Sequence, residues 1–320
     1  MHYEICGLGF ESEEPFPELT PVARAARDVS LRLRKVASIK TAPAIWSAPK
    51  WTLPNGCPFL IISKTANGYL LQFEKLADFF INQSATEVEY CPRPEVPAVS
   101  VRHLILDNVM AFVLSVQGCS VLHSSAVVTP YGACAFAANT GVGKSTLAAS
   151  FQHRGYATLT DDCLLLEAHG TAVYGLPSYP SIRLRSDTLA MLGIQHDTTQ
   201  TVAHYNSKRR MAAGRFATRR YRLAAIYCLE RASGDEPREA RLEPLSGRDA
   251  MVTVLRQMFC LDPNEPSMLV RQFKMLEQIS SWVRIVKMVI PNDFSTLPAV
   301  HETVLEDLKA NSQAGLSVVR

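Results

Sequence analysis

The segment Ala138-Asn139-Thr140-Gly141-Val142-Gly143-Lys144-Ser145-Thr146 constrains this 320-residue chain more than any other stretch. It follows the apolar run 132–138 and precedes Leu147-Ala148-Ala149-Ser150-Phe151, the start of a helical pattern. Two glycines between a strand and a helix let the backbone curl, so that successive N–H groups aim inward at phosphate oxygens. Lys144 adds a point charge for those oxygens and Ser145 a hydroxyl suited to Mg²⁺. The new helix contributes its positive dipole end. The phosphate-loop pattern GxxxxGK[ST] is met except at its first glycine, which is Ala138 here. A glycine turn that merely caps a helix is the plainer reading. The strand before and the helix after favour nucleotide binding by residues 139–146, with ATP as the cofactor.

The approach to the loop is unusual. Residues 120–128 read as a strand, Pro130-Tyr131-Gly132 as a tight turn, and 132–138 as a second strand. Strands joined by so short a turn must be antiparallel. An ordinary nucleotide-binding loop is fed by a parallel strand–helix–strand unit instead.

Downstream, 156–160 form a short strand that ends in Asp161-Asp162, with Asp161 17 residues after Lys144. A strand ending in carboxylates beside such a loop is where Mg²⁺ is held and where an attacking hydroxyl gives up its proton. A β-turn with aspartate at its corner is the plainer alternative. His123 lies in the strand before the loop, where a lone histidine is usually structural.

Composition limits the other choices. Hydrophobic residues make up 47% and charged residues 20%, enough apolar material for about two domains and too much for a disordered chain. The net charge of +3 is too small to imply nucleic-acid binding by itself. Eight cysteines stand apart with no CxxC spacing, which reads as free thiols in a reducing compartment. The start MHYEICGLGFESEEPF lacks the pattern of a signal peptide, and the apolar stretch 104–116 is too short to span a bilayer. A cytoplasmic protein with no membrane partner is expected.

Two regions differ in texture. Residues 1–100 carry turn signals, among them Pro54-Asn55-Gly56 and Asn67-Gly68, the latter a hairpin signal between apolar runs. They read as a small N-terminal α+β domain, with a helix around 22–36 and a stiff segment at 92–97. Residues 101–320 read as the α/β catalytic domain. Ile105, Val109, Phe112 and Val116 mark one face of a helix over 101–117. Strands are expected at 163–167, 223–230 and 285–290, and helices at 144–153, 247–260, 266–283 and 298–309. Met251, Val254, Leu255, Met258 and Phe259 read as core, with Phe273 and Trp282 packed beside them and His301 exposed.

The string Leu122-His123-Ser124-Ser125-Ala126, then Asn139 through Ser145, then Arg154-Gly155-Tyr156 and Asp161-Asp162, resembles HPr kinase/phosphorylase and its kinase-only relatives. The 21-residue step from His123 to Lys144 is similar to that family's spacing. The likeness is specific over about 120–170 and continues more weakly through 179–184 and 223–230. The opening segment through Pro15, Pro17, Glu18 and Leu19 is similar to relatives in peptide biosynthesis clusters, among them kinases of lasso-peptide precursors.

The resemblance implies a phosphoenolpyruvate-carboxykinase-like P-loop kinase fold. It makes Asp161 the catalytic base, with His123 and Lys144 beside it, and gives Asp162 and Ser145 to the metal. It also implies a homo-oligomer. Ser181 stands where the family has an acidic residue, which argues against phosphorylase activity; Arg183 is a candidate phosphate contact.

From Thr198 to Leu229 there is no Asp or Glu, while Lys208, Arg209, Arg210, Arg215, Arg219, Arg220 and Arg222 lie within. Few aromatics interleave, so nucleic acid is not the expected partner. A mobile basic loop that closes over phosphates or docks a peptide is expected, with Arg210 and Arg215 as nucleotide contacts. The reading is an ATP-dependent serine kinase of a peptide or small protein, with a lasso-peptide precursor as the specific acceptor that the resemblance implies. A sugar or nucleoside kinase and a non-catalytic nucleotide-binding module are the alternatives.

Overall fold

The computed structural model describes residues 1–22, 31–53, 56–232, 239–260 and 262–316. Its internal contacts divide the chain into two units.

The first unit takes Met1–Cys119 with Thr201–Ser207 and Cys260–Pro263. It is built on an eight-stranded sheet rather than on a hairpin with helices. In the strand Ala77–Asn82, alternate residues Ala77, Phe79 and Ile81 are buried, the period-two pattern of a half-covered sheet. The expected helix near 22–36 gives way to a strand, Leu31–Lys35, with Leu31 and Leu33 buried and Arg32 and Arg34 pointing away. Residues 23–30 of that expectation, and Pro54 and Asn55 of the expected turn, lie outside the described residues.

The hairpin forms between Pro58–Thr65 and Gly68–Phe73. Gly68 is its first paired residue, opposite Thr65. A Cβ at Gly68 would lie 2.1 Å from the Ile81 carbonyl oxygen, so close strand approach demands glycine there.

The helical run begins at Ala98 and reaches Val116, longer than the apolar stretch suggested. It is long and apolar enough to cross a membrane, yet 78% of it is buried. A π-turn, Ile105–Val109, interrupts it, and His103 Nδ1 meets the Asp107 carboxylate across that turn. The run packs within the first unit: Phe112 lies 6.0 Å from Trp51, and Gln117 Nε2 donates to the Ala85 carbonyl at 2.9 Å. These contacts move the division of the chain to Cys119 rather than 100.

The second unit holds a nine-stranded mixed sheet. Ser124–Thr129 pairs antiparallel with Gly132–Ala137, as the short turn requires. The expected strand 120–128 is broken at His123, whose N–H turns aside to the Gln257 carbonyl at 2.7 Å.

Gly132–Ala137 pairs parallel with Tyr221–Arg231, which pairs parallel with Arg284–Ile290. Their side chains alternate between two cores. Phe136, Tyr227 and Met288 pack with Leu147 and Phe151 of the helix Lys144–His153 and with Val304 of the helix Leu297–Leu316. Ala135, Ile226 and Ile285 pack with Val254 and Leu276 of the helices Gly247–Leu255 and Pro266–Trp282. The result is a sheet covered by helices on both faces.

Two expectations about single residues fail. Phe273 is 52% exposed, because Met268, Gln272, Leu276 and Ile279 define the buried stripe and residue 273 falls off it. His301 is 3% exposed. The helix starts at Leu297, so His301 sits one turn in, with its ring 4.4 Å from Phe151 and Nε2 2.8 Å from Ser150 Oγ.

Candidate functional site

The parallel strand Gly132–Ala137 delivers the chain to residues 138–143, and the helix begins at Lys144. Gly141 and Gly143 adopt φ of 91° and 122°, open to glycine and strained for other residues. The loop opens on a cleft of about 420 Å³ within the second unit. Thr140, Gly141, Gly143, Lys144, Ser145 and Thr146 line it, while Val142 turns into the core. The Asn139 amide oxygen is met by Gln257 Nε2 at 3.5 Å.

Lys144 is buried, and its Nζ donates to the Ala138 carbonyl at 2.8 Å. Burial lowers its pKa, and the carboxylates of Asp162 and Asp161 oppose that fall.

The strand Ala157–Thr160 ends at the paired aspartates. Their roles diverge in space. Asp161 is 3% exposed; its Oδ1 accepts from Ser125 Oγ at 2.6 Å and its Oδ2 from the Arg183 backbone N–H at 3.0 Å. Asp162 is half-buried, faces the cleft and adopts φ 72°, in the left-handed region. Arg183 Nη2 lies 2.5 Å from Asp162 Oδ2. Burial alone would raise the Asp162 pKa. Arg183, His123, Lys208 and Lys144 outweigh it and hold the carboxyl well below the usual carboxylate range.

His123 is half-buried, edge-on to Phe259 at 5.8 Å. Its pKa is lowered chiefly by burial, with Asp162 pulling upward and Lys144 downward. Burial thus favours the neutral imidazole, while Asp162 favours the charged one.

The basic segment is not one loop. Asn206–Ala212 and Tyr221–Arg231 are strands. Of its seven fixed charges, Lys208 lines the cleft. Arg209 donates to the Thr199 carbonyl at 2.6 Å. Arg210 is buried, opposite Arg183 in an antiparallel pair of strands. Arg215 donates to the Gly155 carbonyl at 3.0 Å, just past the end of the helix Lys144–His153. Arg220 turns to Glu167 and His169, and Arg219 to the Tyr221 ring. The geometry thus brings Lys144, Ser145, Asp162, Arg183 and Lys208 together on the cleft, sets Asp161 and His123 behind its lining, and leaves Arg210 and Arg215 out of it as well.

Arg185, Asp187, Arg231, Asn292 and Phe294 also line the cleft and were not singled out from the sequence. Arg231 and Asn292 follow or end strands parallel to the one feeding the loop, which is the signal that finds them.

For Mg²⁺, the donor set present is the Ser145 hydroxyl and the Asp162 carboxylate, both on the cleft. This fits a cation that takes one or two protein oxygens and completes its shell with phosphate and water. Among the described residues there is no group of three or more His, Cys, Asp or Glu side chains able to hold a metal alone.

No family model matches the chain, and no curated protein is similar to it. Among solved structures, an HPr(Ser) kinase/phosphatase from Coxiella burnetii is similar at 14% identity and a TM-score of 0.34. The match covers 62% of this chain and 95% of that one.

Proposed function

We propose that this chain is a Mg·ATP-dependent kinase that transfers the γ-phosphoryl group to a serine hydroxyl of a peptide or small protein. The observation that carries this reading is the convergence of Lys144, Ser145, Asp162, Arg183 and Lys208 on one cleft at the start of a buried helix. Three cations and a row of loop N–H groups suit a polyphosphate; a carboxylate among them suits its metal.

In this reading the loop amides and Lys144 hold the β- and γ-phosphates. Ser145 and Asp162 hold Mg²⁺, which when bound neutralises charge on the phosphate oxygens. Arg183 and Lys208 orient the γ-phosphoryl group. The acceptor O–H gives its proton to Asp161 as the new O–P bond forms and the β,γ P–O bond breaks, releasing ADP. Asp161 accepts two hydrogen bonds and a carboxylate offers about four lone-pair sites, so capacity for that proton remains. His123, within electrostatic reach of both aspartates, would relay the proton. The peptide acceptor, with a lasso-peptide precursor as the specific case, rests on the sequence resemblance at both ends of the chain.

The test is mass spectrometry of a serine-ending precursor peptide and its Ser→Ala variant after incubation with the protein, ATP and Mg²⁺. A gain of about 80 Da, absent in the alanine variant, is the expected result. Transfer to a free sugar or nucleoside with no peptide modified replaces the acceptor. ATP binding without any transfer replaces the enzyme by a binding module.

A further inference from the structure

The cleft lining combines two sets of residues. Asp162, Arg183, Arg185, Asp187 and Lys208 form a charged set. The second set comes from where the neighbouring parallel strands finish. Gly132–Ala137, Tyr221–Arg231 and Arg284–Ile290 run parallel, so their carboxyl ends share one edge of the sheet. The first leads into the phosphate loop. The second ends at Arg231, and the third runs into Asn292 and the single turn Phe294–Thr296. Ligands of open α/β sheets bind at such carboxyl ends.

Arg231 packs against the loop at Gly143. Its Nη1 donates to the Pro291 carbonyl at 3.0 Å, and its Nη2 stands 3.0 Å from where a Cβ on Gly143 would be. Phe294 is 36% exposed although it is a large apolar side chain. Arg231 and Phe294 also wall a small hollow of about 20 Å³, whose other sides mix the apolar Leu147, Ile290 and Leu297 with Thr146, Asp293 and Thr296. A guanidinium plane and a phenyl ring beside a phosphate loop suit a flat, aromatic, uncharged group.

We propose that Arg231 and Phe294 seat the nucleobase of the phosphoryl donor and that the Asn292 amide, both donor and acceptor, reads its edge. This deepens the kinase reading and rests on it. It specifies the donor as a nucleoside triphosphate rather than an inorganic polyphosphate. The cleft volume lies within the roughly 300–1,000 Å³ of small-molecule sites.

The experiment is calorimetric titration of the full chain with Mg·ATP and, separately, with Mg·tripolyphosphate. The wild type is compared with Phe294→Ala and Arg231→Met. Base stacking predicts that each variant loses roughly tenfold in ATP affinity. Tripolyphosphate affinity stays at the wild-type value, which also reports that the loop is folded. Asn292→Ala is expected to narrow the difference between ATP and GTP.

Variants that bind ATP like the wild type, or that lose ATP and tripolyphosphate equally, overturn the base seat. So does a wild type that binds tripolyphosphate as tightly as ATP, which leaves the phosphate loop standing. A wild type that binds neither overturns the kinase reading, and the base seat with it.

Discussion

Arg183 grips the side chain of Asp162 with its guanidinium, Nη2 to Oδ2 2.5 Å, while its own backbone N–H is committed to Asp161. One residue thus fixes the whole aspartate pair. Removing the guanidinium in Arg183→Gln leaves burial to act on Asp162 with less opposition, so its pKa rises. A carboxyl with a depressed folded pKa contributes stability above the unfolded value and loses it as pH falls through the folded value. The ionised Asp162 that the proposed metal site needs is therefore expected to persist to lower pH in the wild type than in the variant. The Gln variant's acid limb moves upward, readable as Mg·ATP affinity against pH.

Lys144→Met is expected to abolish ATP affinity without harming the fold. Lys144 is buried, its charge is disfavoured there, and its Nζ donates to the loop carbonyls of Ala138 and Asn139. Thermal unfolding without nucleotide should be unchanged or slightly higher. A large fall in Tm without ligand, with ATP affinity kept, counts against the assigned role.

Asp161→Asn keeps one carbonyl oxygen for two donors, Ser125 Oγ–H and the Arg183 N–H. A buried donor left unsatisfied costs about 1–3 kcal/mol. Phosphoryl transfer should fall by about 10²-fold or more while ATP binding is largely kept. Asp162→Asn should instead raise the Mg²⁺ requirement. Swapped phenotypes reverse the two roles.

His301 gives a pH dependence far from the cleft. Ser150 Oγ donates to the Leu147 carbonyl at 2.7 Å, so His301 Nε2 must carry the proton it shares with Ser150. Nδ1 is then bare, buried and without a partner. Burial, with Arg154 adding to it, pushes the imidazole down to about 4. The unfolded chain binds the proton first, so stability falls as pH drops from about 6.5 towards 4. His301→Leu should flatten that part of the Tm–pH curve. An unchanged curve shows that other groups set it.

Gly68→Ala tests the first unit. The nearest atoms to the new methyl, 2.1 Å to Ile81 O and 3.0 Å to Asn82, are all backbone and cannot swing aside. A loss of roughly 3 kcal/mol is expected. It should appear as faster hydrogen exchange in the strands Gly68–Phe73 and Ala77–Asn82. Gly214→Ala, with nothing within 4 Å and no left-handed backbone, serves as the comparison.

The sequence was most readable where structure is local. The hairpin 124–137, the loop and the helix Lys144–His153 lie within thirty residues of each other, and each carries its own turn or glycine signal. Leu31–Lys35 was missed because its partners, Leu8–Ser12 and Glu87–Pro92, lie far along the chain, although Leu31 and Leu33 alternate with arginines. The strand at 223–230 was legible, whereas the charges over 208–222 suggested a loop; yet Lys, Arg and Tyr fit strand edges well when every second side chain reaches solvent or an aromatic ring. His301 was misplaced by reading the helix start alone. Val300, Val304 and Leu308 at spacings of four put the adjacent residue inside as well. Arg231 and Phe294 carry no motif, and only the parallel order of three strands brings them to the cleft.

The left-handed backbone at Asp162 selects residues before chemistry does. At φ 72° the chain favours glycine, asparagine and aspartate, and penalises glutamate or alanine by about 1 kcal/mol or more. Of the three tolerated types, aspartate alone is charged. Lengthening the side chain by one carbon to reach further into the cleft therefore carries a backbone cost that aspartate avoids.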